Sequence, residues 1–151
     1  MSSAANPMYG VVSIDGKQYL ERWQVMPFEL SVTVGLSSTG PIKVPLPGVY
    51  DFRLKGLTRA VLAAGALVSR PFRCRIGNTD GAIWYSQGGL GGATDKVLDS
   101  NMFGNGQFPY PIIPALYYGK NASIMLDIDD LSNSVPYTIV FAFHGAYLIP
   151  V

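Results

Sequence analysis

In residues 28–36, Phe28, Leu30, Val32 and Val34 alternate with Glu29, Ser31, Thr33 and Gly35, and further on Tyr50, Phe52 and Leu54 alternate with Asp51, Arg53 and Lys55. Successive side chains of a strand point to opposite faces, so a period of two marks half-buried strands with one face in a core and the other in water. A helical period is almost absent. Residue pairs suited to tight turns punctuate these runs. Asp15-Gly16 separates residues 9–14 from 17–23, and because both residue types tolerate positive φ, a hairpin is expected there. The corner Asn78-Thr79-Asp80-Gly81 predicts a second hairpin joining residues 72–76 to 82–86, with Trp84 on its inner face.

The remaining segments extend the same pattern. Residues 42–46 contain Pro45, which lacks an N–H for a ladder and so confines that strand to an edge. The Ala-rich residues 58–69 suit either a short helix or a buried strand, with strand or irregular turn the preferred reading. Residues 122–128 and 137–148 are long core strands separated by a polar turn. Residues 87–116 differ: GGLGG, a polar turn-rich stretch and PYPIIPAL make a long, loop-dominated excursion. Such loops are uncommon in compact domains unless functional or ordered by a partner, which makes this the leading interaction candidate.

About eight to ten strands, no alternating strand–helix units and no fixed repeat predict an all-β antiparallel sandwich. A jelly roll of about eight strands with one long loop suits 151 residues better than an immunoglobulin fold of about 100. One domain is expected over residues 8–151, preceded by a flexible N-terminal arm of residues 1–7.

Composition narrows the functional classes. Only 14% of residues are charged, against about a quarter in an average soluble domain. So little charge implies uncharged surface at a subunit interface. The net charge of +1 supplies no field to collect nucleic acid or an anionic membrane, and the basic run Arg53, Lys55, Arg59, Arg70, Arg73, Arg75 reads as solvated strand faces. No apolar stretch reaches the roughly 18 residues of a membrane span. Residues 135–151 come nearest, but Pro136, His144 and Pro150 make them a buried strand. The lone Cys74 forms no internal disulfide, so the fold does not depend on an oxidising compartment.

Chemical motifs are sparse. His144 stands alone in FAFHGAY, and Cys74 has no acid–base partner nearby. Gly88, Gly89, Gly91 and Gly92 lack the Lys-Ser/Thr pair of a phosphate loop. Asp127, Asp129 and Asp130 lack the further oxygens that a hard cation requires. No catalytic residue, metal ligand or cofactor site is therefore assigned. A cleft joining Asp127, Asp129 and His144 would reopen the question of enzymatic activity, and an exposed aromatic platform, with Trp84 and Tyr117 accessible among Tyr85, Tyr110 and Tyr118, would favour a carbohydrate-binding module.

The stretches PFRCRIGNTDGAIWYS, PYPIIPALYYG and VPYTIVFAFHGAYLIPV, in a charge-poor chain rich in Gly, Pro and aromatics, resemble small virion proteins of tailed bacteriophages. The resemblance is to the jelly-roll capsid decoration, or cement, proteins. It implies a dimer or trimer, assembled in the host cytoplasm, that sits at joints between subunits of the major capsid protein or other virion proteins. It further implies a reaching arm at residues 2–6 and a docking loop at residues 88–116. Met102, Phe103, Phe108, Tyr110, Ile112 and Ile113 would be the loop's apolar anchors, since buried aromatic and aliphatic side chains dominate interface energies. Pro109, Pro111 and Pro114 would lower the cost of ordering it. A neck, collar or tail component would use the same features.

Overall fold

The computed structural model describes residues 9–32, 42–46, 48–79, 97–105, 108–130 and 136–151. The strands among them are β1 (Tyr9–Ile14), β2 (Lys17–Val32), β3 (Ile42–Pro45), β4 (Asp51–Ala63), β5 (Ala66–Leu67), β6 (Phe72–Gly77), β7 (Val97–Leu98), β8 (Tyr110–Tyr118), β9 (Ser123–Asp130) and β10 (Tyr137–Pro150). The Asp15-Gly16 hairpin forms as the sequence predicts: both residues have positive φ, and Ile14 pairs with Lys17.

Two antiparallel sheets result. The first runs β1-β2-β10-β4, with β5 and β8 both pairing to β4, and the second runs β3-β9-β6-β7. Without the marginal strands β1 and β5, eight strands remain, in the orders β2-β10-β4-β8 and β3-β9-β6-β7. Nearly every connection therefore crosses between sheets, and the paired Greek keys are those of a jelly roll. The expected fold class is thus observed, and the edge position of β3 agrees with Pro45. The Ala-rich segment extends β4 to Ala63 and then turns at Ala64 and Gly65, both with positive φ.

Alternation explains the core. Tyr137, Ile139, Phe141 and Phe143 of β10 and Phe52, Leu54, Leu57 and Val61 of β4 point inward. They meet Phe72, Cys74 and Ile76 of β6 and Ile124, Leu126 and Ile128 of β9 from the other sheet. Each such side chain contributes roughly 1.5–3 kcal/mol on burial. Cys74 is wholly buried, an apolar core residue rather than a reactive thiol.

The long excursion is the main departure from expectation. Residues 110–118 form a strand, not a loop, despite Pro111 and Pro114. A sheet margin tolerates proline because missing donors there cost little. The ladder also breaks where the prolines fall: Leu116 pairs with Leu54 and Pro111 with Gly56, so four residues, 112–115, stand opposite Lys55 alone. Preceding β8, a short 3-10 turn at Asp99–Asn101 leads to Gly104, which forms a parallel bridge to Thr58 just beyond the end of β8. The expectations for the arm at residues 1–7, for residues 82–86 with Trp84, and for the glycines at 88–92 lie outside the described residues.

Candidate interaction surface

The bulge in β8 builds the most distinctive apolar surface feature of the described residues. Where residues 112–115 leave the ladder lies a groove of about 580 Å³, lined mainly by apolar side chains, Leu57, Ile76, Met102, Ile112, Ile113, Pro114 and Leu116, together with Tyr110 and the polar Asn101. Four of the six anchors expected from the sequence, Met102, Tyr110, Ile112 and Ile113, thus meet around one recess. Ile113 is 87% exposed and stands clear of the sheet. Met102 and Ile112 are half-buried, each with one side packed on the core. Phe108, 68% exposed, lies outside the groove on the approach to β8.

Phe103 is a correction. It is only 3% exposed and belongs to the core, with its ring 5.3 Å from that of Phe141 and 6.1 Å from that of Phe72. The backbone around it dictates this. Phe103 N–H donates to Asp99 O at 2.8 Å, Gly104 N–H donates to Leu57 O at 3.0 Å, and Arg59 N–H donates to Gly104 O at 3.2 Å. These bonds hold the segment against β4 and turn the Phe103 ring between the sheets. Asp99, itself buried, accepts from Arg59 Nε at 2.6 Å and from Phe72 N–H at 3.4 Å, closing the same segment onto both sheets.

At the other end of β8, Asp51 acts as a clamp. One of its carboxylate oxygens accepts from the Tyr117 hydroxyl and the other accepts from Lys120 N–H at 2.9 Å, which fixes the β8–β9 turn. The hydrogen bond to Asp51, reinforced by partial burial and by the negative charge of the carboxylate, pushes the Tyr117 phenol up to about 12. Tyr117, named from the sequence as a member of a possible aromatic platform, is 53% exposed. Of the pair Tyr117-Tyr118, Tyr118 turns inward and Tyr117 outward, as alternation requires.

The groups that would have suggested catalysis are dispersed. His144 lies on the outer face of the first sheet, where its Nε2 shares a hydrogen bond of 3.0 Å with Thr58 Oγ1. Burial lowers its pKa below the usual 6.5. Asp127 belongs to the second sheet, where it accepts from Arg75 Nε at 3.0 Å across the β6–β9 ladder, and Asp129 stands opposite Arg73. Asp127 and Asp129 do not converge with His144. Among the described residues no group of three or more His, Cys, Asp or Glu side chains is placed to hold a metal, and no helix is long and apolar enough to cross a membrane.

Comparison with protein-family models, curated proteins and solved structures finds no match to this chain.

Proposed function

We propose that the chain is a non-enzymatic virion structural protein, a bacteriophage capsid decoration or cement subunit that binds between capsid subunits and stabilises the head. The observation that carries this reading is the β8 groove: a jelly roll held by a continuous aromatic core presents an apolar recess crowned by Ile113, with no ion pair across it among the described residues. Such a surface is covered without desolvating charge, the compositional mark of an interface centre. The resemblance of the chain to decoration proteins and its low charge point the same way.

On this reading the groove and the Ile113 bulge join copies of the chain into a dimer or trimer, and the remaining surface meets the major capsid protein or other virion proteins. Direct contact with nucleic acid or membrane has no part in it. The test is mass spectrometry of particles purified from the virus that encodes the chain, with the thermal rupture of particles that carry or lack it. Copy number in proportion to shell subunits, and rupture at lower temperature without the chain, are expected. Absence from particles refutes the reading. Copy number matching a single ring assigns the protein to the neck, collar or tail instead.

A further inference from the structure

We infer that a second recess, on the outer face of the first sheet, is a binding site for a hexopyranose ring of a glycan. This goes beyond the structural role above and stands on different residues. Register places Val25, His144, Gly56 and Pro111 side by side on β2, β10, β4 and β8, so that one transverse row crosses four strands. Gly56 in that row has no side chain, and the row dips there. Val25 and Trp23 wall the dip on one side and Pro109 and Pro111 on the other, enclosing about 550 Å³ with His144 at the base and Lys55 at the end. That volume lies in the range of small-molecule sites.

The lining fits a sugar better than a purely apolar ligand. Trp23 is 42% exposed: the Lys55 ammonium covers one face of its ring, and the indole's other face and edge offer apolar surface to the C–H groups of a pyranose while its N–H remains a donor. Polar groups sit at fixed positions beside it. Lys55 is the extra residue of a β-bulge, since Leu54 pairs with Gly145 and Gly56 with His144. Its ammonium lies 4.1 Å from the Trp23 ring centroid and is held by both carboxylate oxygens of Glu21 at 2.9 Å. An ammonium has three N–H donors, so one remains for a ligand hydroxyl. His144 is oriented through Nε2 by Thr58, leaving Nδ1 as the second polar atom of its ring. Glu21 also accepts from Arg53 Nη1 at 2.8 Å, so its single negative charge is shared between two cations.

The test is an NMR titration of the full chain with galactose, glucose, N-acetylglucosamine and glucuronic acid, reading the Trp23 indole N–H and the Gly56 amide. Saturable shifts at both positions with at least one sugar are expected. Trp23→Ala should weaken that binding about tenfold or more, and Trp23→Phe should retain part of it. Gly56→Ala serves as an independent variant: its methyl would meet Pro109 Cβ at 3.4 Å and His144 Cβ at 3.6 Å, filling the dip without removing a polar group, and binding should be lost. No shift with any of the four sugars, or unchanged affinity in Trp23→Ala and Gly56→Ala, overturns the inference. Shifts of the same resonances on raising protein concentration alone would give the recess to a second copy of the chain and overturn it equally.

Discussion

Gly145 of β10 and Phe52 of β4 pack so closely that a methyl group on Gly145 would lie 2.5 Å from Phe52 Cζ, and nearer still to the Arg53 carbonyl oxygen. The Phe52 ring also packs edge-to-face against Tyr147, 5.2 Å away between centroids, within the core. Neither the ring nor the backbone oxygen can retreat. Gly145→Ala should therefore cost about 3 kcal/mol of stability, the upper range for overpacking, whereas Gly10→Ala, with nothing within 4 Å, should be close to neutral. Denaturant midpoints of the two variants check this. Equal midpoints would mean that the first sheet is not packed as described.

Asp99 supports the Phe103 insertion through Arg59 and the Phe72 amide. Asp99→Ala leaves a partly buried guanidinium and a buried N–H unmatched, with an expected loss of about 3 kcal/mol. Asp99→Asn, which retains one acceptor, should lose less. Urea unfolding of both variants measures the difference.

His144 gives the fold a defined acid limb. Because burial lowers its pKa in the fold, the unfolded chain takes up the proton first as pH falls through the usual 6.5. Stability from this residue is present above that pH and declines below it, until the folded form is also protonated. His144→Gln should flatten that part of the stability–pH curve, as followed by unfolding at a series of pH values.

Tyr117 should titrate near 12, above the usual 10.0 of a phenol. Asp51→Asn removes the carboxylate charge and the strong acceptor, so the Tyr117 titration should move back toward the ordinary value. NMR of the Tyr117 ring follows the ionisation directly. An unchanged midpoint would show that Asp51 is not its partner in solution.

Much of this architecture was legible in the sequence because period-two alternation survives wherever one strand face is buried. Phe52 and Leu54 inward, with Arg53 and Lys55 outward, follow from it. So does the Asp15-Gly16 hairpin, since the turn chemistry is local. Residues 110–116 fall within the loop-dominated excursion expected over 87–116, and Pro111 and Pro114 give no local sign of a strand there. Only the tertiary arrangement, a bulge at the margin beside Lys55, shows how a strand accommodates them. Phe103 misled for a related reason: nothing in its neighbourhood distinguishes an anchor facing a partner from one turned inward by backbone bonds to Leu57 and Arg59. The Trp23 recess escaped because its residues come from four strands and a segment before β8, and no linear motif joins them.

The most direct test of the interface account is the solution mass of the chain by light scattering, for the wild type, Ile113→Asp and Ile112→Asp. Ile113 is almost fully exposed, so its substitution should leave the fold intact and reduce a dimer or trimer to monomer. Ile112 packs on the core, so Ile112→Asp should also lower the thermal midpoint. A monomeric wild type, or an Ile113→Asp variant that keeps the wild-type mass, would contradict the assignment of the β8 groove as the surface that joins copies of this chain.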